Sequence, residues 1–454
     1  MELKDRTGLV VGMGKTGEAV CEFLFRSGSR LIISDSRTAA VLGESYERWK
    51  DRALFFETGG HSEQVLSEAD FVIISPGIPL IPLFDAAHKR GLPVLSEIEL
   101  ASRFLRGRII GITGSNGKST TATLTQKILK DGGVRARLAG NIGTPLISFA
   151  LDSREEDVFV TELSSFQLNN IDRFKASVAV FLNITPDHID WHRNFASYLD
   201  AKKNLIRNQD RTGIAVLNRD DPLVWESAGE AKGTVHSFSR RPDANASLFL
   251  RGKDILFSLG QEEFLMPVGD IPLLGEHNLE NVMAAALVGR LFGLSPAGIR
   301  TSIQTFDGLE HRLKKVTEIE GIAFYNDSKA TNVDAALKAI RSFGQKIVLI
   351  LGGRDKAGDF TQLTGDIRKR VKAVVLMGEA SETIRNVLTG IVPLQQAADM
   401  KEAVLLAHAS ASSGDVVLLA PACTSWDMYN NFEERGEDFK QQVFSLGRDK
   451  EGRK

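Results

Sequence analysis

The stretch RIIGITGSNGKSTTATLTQKILK, residues 108–130, decides how the rest of this 454-residue chain is read. Residues 109–113 are apolar and largely β-branched, which predicts a buried strand, and 122–130 carry a helical pattern. Between them lies GSNGKST, residues 114–120. Its glycines let the backbone curl until successive N–H groups converge on one point, and the following helix adds its positive N-terminal end. Gly114, Ser115, Asn116 and Gly117 would cradle nucleotide phosphates, Lys118 would reach the β- and γ-phosphates, and the Ser119 hydroxyl would serve Mg2+. The spacing departs from the usual phosphate loop, because its first glycine belongs at 112, where the chain has Ile112. A glycine-rich turn that binds nothing is the alternative. The GKS triplet between a strand and a helix favours a nucleotide, without distinguishing hydrolysis, transfer and regulation.

Working outward, similar apolar runs at 9–11, 31–34, 71–75, 159–162, 178–182, 347–351, 373–377 and 416–420 predict further strands. Their near-continuous apolarity is that of strands covered on both faces, hence mainly parallel α/β sheets. The length exceeds one core, and three segments suggest themselves. These are 1–105, a Rossmann-like domain; 106–309, a central P-loop ATPase domain; and 310–454, a second Rossmann-like domain. A helical stretch at 97–105 closes the first. Lys+Arg number 56 against 58 Asp+Glu, so no cationic excess exists for a nucleic-acid partner. Two distant cysteines, Cys21 and Cys423, argue for free thiols in a reducing compartment. Nothing resembles a signal peptide or a membrane span, so a cytoplasmic location is expected.

Beyond the loop, candidates are weaker taken singly. Glu162 ends a predicted strand, where a carboxylate suits a second Mg2+ contact; a solvated strand-end acid is the plainer reading. His188 lies in NITPDHIDWH among Asp187, Asp190 and His192, which leaves the assignment open. Lys202 reads as a helix-surface lysine, and Lys203 beside it fits equally well. In the first segment, Gly12-Met13-Gly14-Lys15-Thr16-Gly17 after a strand, with Asp35 after the next, resembles a dinucleotide fingerprint.

The ordered set GSNGKST, TELSSFQL, NITPDHID, GEHNLENVMAA, GLEHRL, NDSKATN and LGGRDK resembles the Mur ligases over essentially the whole chain. Folylpolyglutamate and cyanophycin synthetases share the central pattern. Within the family, VVGMGKTGEAV and PACTSWDMYNNFEERGEDF are most similar to the D-glutamate-adding branch. The resemblance implies an ADP-forming amide ligase acting on UDP-N-acetylmuramoyl-L-alanine and D-glutamate in peptidoglycan synthesis, through an acyl phosphate and a tetrahedral intermediate. It implies ATP, two Mg2+ ions and a CO2-derived carbamate on Lys202, in a monomer. Lys118, Ser119 and Thr120 would hold phosphates; Ser119, Glu162, His188 and carbamylated Lys202 would hold metal. Asn278, Asn281, Arg312 and Asp327 would complete the nucleotide site, with domain closure expected. Gly14, Lys15, Thr16, Asp35, Ser36, Gly77, Asn141, Ser164 and Gln167 would contact the UDP substrate. Lys329, Thr331, Lys356, Ser425 and Phe432 would hold D-glutamate. The rivals are another amino acid added by the same chemistry, and a regulatory protein that keeps only nucleotide binding.

Overall fold

The computed structural model describes residues 2–79, 81–243, 245–355 and 358–451, apart from the side chains of residues 190 and 448–451. Lys356 lies outside the described residues. Among the described residues there are three sheets. The N-terminal sheet has the order β3-β2-β1-β4-β5, built from β1 (Thr7–Val11), β2 (Arg30–Asp35), β3 (Phe55–Thr58), β4 (Phe71–Ile74) and β5 (Val94–Ser96). All its pairings are parallel.

The central sheet contains β6 (Arg108–Thr113), β7 (Arg135–Gly140), β8 (Asp157–Glu162), β9 (Val178–Phe181), β10 (Ile214–Asn218), β11 (Thr234–Ser239), β12 (Leu248–Arg251), β13 (Asp254–Leu259) and β14 (Gln261–Pro267). Its order is β14-β13-β12-β11-β10-β9-β6-β8-β7. It is parallel from β7 to β12 and ends in two antiparallel pairings. The C-terminal sheet contains β15 (Lys314–Ile319), β16 (Ile322–Asn326), β17 (Ile347–Gly352), β18 (Val371–Met377), β19 (Leu394–Gln396) and β20 (Val416–Leu419), in the order β15-β16-β20-β17-β18-β19. Only its β15–β16 pairing is antiparallel.

The expected class, α/β with mainly parallel sheets, is the observed one. The nine strands read from continuous apolarity correspond to β1, β2, β4, β6, β8, β9, β17, β18 and β20. Their residues bury alternately on opposite faces. In β1, Leu9 and Val11 enter one core while Val10 enters the other. In β17, Ile347, Leu349 and Leu351 face one core, and Val348 and Ile350 the other. Such double burial is what parallel sheets demand. The antiparallel additions differ because one of their faces is wet, as in β15, whose residues are all exposed or half-buried.

The chain divides into two compact units, Met1–Asp270 with Glu280–Thr305, and Ile271–Leu279 with Phe306–Lys454. The first holds the N-terminal and central sheets. One hydrophobic core runs from Val10, Ile33 and Ile73 of the former to Ile109, Phe159 and Phe181 of the latter. The second unit holds the C-terminal sheet.

Candidate active site

In the first unit, the C-terminal ends of β6, β8 and β9 lie side by side, with Ile112 in register with Glu162 and Thr113 with Phe181. Ligands of parallel α/β sheets bind at such ends. The chain leaves β6 through Gly114 at φ 153° and enters the helix Lys118–Asp131 through Gly117, a left-handed N-cap at φ 88°. Asn281 Oδ1 packs against Gly117 where a Cβ would sit, so glycine is required there twice over. Among the described residues no side chain caps this helix. The loop is braced from outside instead. Asn183 accepts from the N–H groups of Ser115 (3.0 Å) and Asn116 (2.9 Å) and donates to Asn116 O (3.0 Å). The Ser115 hydroxyl donates to Thr185 O (2.8 Å) and lies 2.9 Å from the Tyr198 hydroxyl. Lys118 folds back, its Nζ donating to Gly114 O (2.9 Å) and Ser115 O (2.8 Å). Ser119 and Thr120 are buried in the first helical turn.

Lys202 is turned inward from the helix Phe195–Arg207 and is 1% exposed. Its Nζ donates to Gly114 O (2.9 Å) and lies 4.8 Å from the centre of the Tyr198 ring. Burial, and then the charge of Lys118, drive its pKa well below that of an ordinary lysine, against the opposing fields of Asp187 and Glu162. Lys203 points away and pairs with Glu230 at 2.8 Å. The structure thus separates two lysines that sequence alone left equivalent.

Glu162 is buried, with Oε1 accepting from Asn141 Nδ2 at 2.8 Å and Oε2 without a hydrogen-bond partner among the described residues. His188 sits in the left-handed region (φ 52°), its ring 4.8 Å from that of Phe166 and its Nε2 3.6 Å from Asp187. Of its neighbours, His192 is committed to the Ser165 hydroxyl at 2.9 Å. Lys118, Lys202, Asp187 and Glu162 therefore share one electrostatic neighbourhood, and His188 joins it through ring contact with Tyr198.

The N-terminal loop follows β1. Asp35 accepts from Met13 N–H (2.7 Å) and is bridged in two places by Arg37 (2.9 and 2.8 Å). Burial opposes ionisation of Asp35, but Arg37 and the N–H groups of Met13 and Arg37 hold it below the usual carboxylate range. Arg37 was passed over in the sequence; the spacing Asp-Ser-Arg was its only local signal. Lys15 reaches Gly143 O. Gly14, Thr16, Ser36 and Gly77 are at least partly open to solvent. A small cleft is lined by Ser75, Gly77, Ile78, Phe166, Gln167 and Trp191. Ser164 and Gln167 form a reciprocal capping box on the helix Ser165–Asn169.

In the second unit, Asp327 is buried and accepts from Leu313 N–H (3.0 Å); burial raises it to about 6 despite Arg312 nearby. Lys329 Nζ lies 3.7 Å from the centre of the Phe432 ring. Ser425 is buried, Thr331 half-buried, and Asn278 donates to Leu274 O (2.7 Å). Arg435 went unread in the sequence. Its buried guanidinium donates to Ser328 Oγ (3.0 Å), Ser328 O (2.8 Å), Cys423 O (3.1 Å) and Thr424 O (3.2 Å), tying the Lys329 loop to the Ser425 loop.

Comparison with known proteins covers the whole chain. Family models for the MurD-like N-terminal domain of Mur ligases, the Mur ligase middle domain, and the Mur ligase "glutamate ligase domain" match residues 6–96, 112–289 and 311–423. The UDP-N-acetylmuramoylalanine–D-glutamate ligase of Acidobacterium capsulatum is 44% identical over 98% of this chain and 97% of its own. That of Koribacter versatilis is 43% identical over 98% of both. Among solved structures, MurF ligase from Thermotoga maritima in complex with ADP shares the fold (TM-score 0.62, 17% identity, 98% of this chain and 99% of that one). So does UDP-N-acetylmuramate–alanine ligase MurC from the same organism (TM-score 0.61, 17%, 97% and 99%).

Proposed function

The chain belongs to the Mur ligase family, on its MurD-like side, and from that premise we propose that it joins D-glutamate to UDP-N-acetylmuramoyl-L-alanine at the expense of ATP, in peptidoglycan precursor synthesis. The observation that carries this reading is the uncapped glycine-entered helix at Lys118, set beside a buried lysine and a half-satisfied carboxylate. A free carboxylate is a poor electrophile. Its oxygen attacks the γ-phosphorus, ADP leaves, and the resulting acyl phosphate is attacked by the amine of D-glutamate. Inorganic phosphate departs from the tetrahedral adduct, and the amine proton is lost.

Lys118 neutralises charge on the transferring phosphoryl, and the N-terminus of its helix adds to that field. Ser119 and Glu162 fit a Mg2+ ion, since the orphaned Glu162 Oε2 is a buried anionic oxygen awaiting a cation; His188 suits a second. Mg2+ bound there supplies charge neutralisation at the phosphates. Lys202 fits carbamylation because burial and the charge of Lys118 lower its pKa, which favours the neutral amine that adds to CO2. As a carbamate it would offer anionic oxygens in place of a repelling cation. Thr120, Asn278, Asn281, Arg312 and Asp327 are proposed for ATP.

Residues 1–105 are proposed to hold the uridine nucleotide, through Gly14, Lys15, Thr16, Asp35, Ser36 and Gly77, with Asn141, Ser164 and Gln167 added from 106–309. Residues 310–454 would hold D-glutamate through Lys329, Thr331, Lys356, Ser425 and Phe432. Cations suit its two carboxylates. No helix among the described residues is long and apolar enough to cross a membrane, and Cys21 and Cys423 are free, which supports the cytoplasm as the site of action.

The test supplies ATP, Mg2+ and UDP-N-acetylmuramoyl-L-alanine with D-glutamate, L-glutamate, diaminopimelate or L-alanine, and measures ADP. Release is expected with D-glutamate alone; equal release without an amino acid sinks the reading. Lys202→Ala should fall by about 100-fold or more and recover in part with short-chain carboxylic acids.

A further inference from the structure

The helix Glu97–Ser102 joins the N-terminal sheet to the central one, and it buries two carboxylates that the ligation chemistry leaves unused. Ser96 caps it by accepting from Glu99 N–H at 3.3 Å. At about 3.6 residues per turn, side chains two positions apart leave a helix on opposite sides. Each finds a different loop.

Glu97 Oε1 accepts from Ile147 N–H at 2.6 Å, and Leu146 N–H also donates to this carboxylate. It therefore caps the 3-10 turn Leu146–Phe149, which lacks a cap of its own. That turn closes the loop beginning at Asn141. The same loop is held at Asn141 by Glu162 and at Gly143 by Lys15. Glu99 accepts from the N–H groups of Asp172 (2.9 Å), Arg173 (3.0 Å) and Phe174 (2.8 Å), and from Arg103 Nη2 (2.7 Å). These residues follow directly on the helix that Ser164 and Gln167 open.

Burying two carboxylates is costly where packing alone is at stake, and apolar residues would fill the space more cheaply. The cost is visible at Glu97, which burial pushes up to about 7 against its two N–H donors. Glu99 is buried as well, but three N–H groups and Arg103 hold it below the ordinary range. What the pair accomplishes is geometric, because one rigid turn of helix grips the backbone just beyond Asn141 and just beyond Ser164–Gln167.

We infer that Glu97 and Glu99 are positioning residues for the uridine-nucleotide substrate, fixing the Asn141 loop and the Ser164–Gln167 segment against each other. The inference rests on the proposed function, which assigns those three residues to that substrate. Small displacements of positioning groups are expensive in such sites.

The experiment makes Glu97→Gln and Glu99→Gln in the full chain and measures KM and kcat for each of the three substrates, with thermal unfolding alongside. Glutamine keeps shape and one acceptor oxygen but removes the charge, which Glu97, raised to about 7, carries fully only well above neutral pH, so the assays are run there. KM for UDP-N-acetylmuramoyl-L-alanine should rise about tenfold in Glu97→Gln and further in Glu99→Gln, while KM for ATP and for D-glutamate stays within about twofold. An unchanged KM for the uridine nucleotide overturns the inference, as does a lower kcat with all three KM values unmoved, which is the signature of less folded enzyme. If Glu99→Gln does not fold, Glu97→Gln decides alone, backed by calorimetric binding of UDP-N-acetylmuramoyl-L-alanine. Wild type run in parallel separates the two levels: if it releases no ADP with all three substrates, the functional reading has failed, not merely the positioning role.

Discussion

Two glycine loops in the first unit are built on one plan, a parallel strand, a tight turn and an uncapped helix, yet they are braced in opposite ways. In the loop after β1, a carboxylate occupies an inner amide: Asp35 takes Met13 N–H, and Arg37 holds Asp35 in turn. In the loop after β6, the corresponding braces are neutral, coming from Asn183 and the Ser115–Tyr198 hydroxyl pair. The first loop already contains an anion of its own, so the diphosphate proposed for it would rely on its outer amides and Lys15. The second has the Ser115 and Asn116 amides taken too, but by the neutral Asn183, so its braces bring no negative charge, and Lys118 adds a positive one. A strand–glycine–helix pattern thus makes a loop a candidate for phosphate, while the residues around it set the charge such a site would present.

The largest effect expected from this contrast is at Lys118. Lys118→Ala should reduce ADP-forming amide synthesis by about a thousandfold or more, with circular dichroism and thermal unfolding close to wild type. Comparable activity would erase the distinction between the loops. The helix is entered through glycine with or without the lysine, so the loss is one of charge at the phosphoryl group and not of fold.

That loop was legible because its motif is local: seven consecutive residues that follow a strand and run into the first turn of a helix, although the side chains bracing it are distant. The nine strands read correctly were legible for a similar reason, since double burial writes itself as an unbroken apolar run. β7, with the sequence RARLAG at the edge of its sheet, and β15, with the sequence KKVTEI, carry no such run. Lys202 could not be told from Lys203, because the face of a helix that turns inward is decided by what packs on it. Glu97, Glu99 and Arg435 were invisible for a further reason. Their partners are mainly backbone groups far along the chain, 50 residues away for Glu97 and Ile147, 75 for Glu99 and Phe174, 107 for Arg435 and Ser328. Backbone amides have no residue identity, so no motif records them.

A middle-sized effect is expected from Gly17→Ala. A Cβ at Gly17 would collide with the carbonyl oxygen of Gly12, which also accepts the Ser75 hydroxyl at 2.7 Å. A backbone atom cannot swing aside as a side chain can, so the first turn of the helix Lys15–Arg26 must shift. Chemical or thermal unfolding should show a loss of about 1–3 kcal/mol. By contrast, Gly117 faces the end of the Asn281 side chain, so strain there is relieved in part by moving an amide group. Equal stability of wild type and Gly17→Ala would mean that the N-terminal turn is looser than its contacts imply.

The smallest effect, and the one that sharpens the comparison most, is at Lys15. Its ammonium group is exposed and rests on Gly143 O, so any help it gives a diphosphate is felt through water. Exposed charge contacts contribute about 0.2–1 kcal/mol, which converts to roughly a 1.4- to fivefold rise in KM for the uridine nucleotide in Lys15→Ala, with kcat little changed. Such a contribution is screened by salt, and at about 1 M ionic strength the Debye length shrinks to about 3 Å. The KM ratio of variant to wild type should therefore approach one as salt is raised, whereas the Lys118→Ala defect, made in a buried and braced loop, should persist. Were the Lys15→Ala ratio to stay constant with salt, Lys15 would be acting through its grip on the Gly143 loop and not through charge. The two glycine loops would then differ in kind: one an electrostatic site, the other a mechanical seat.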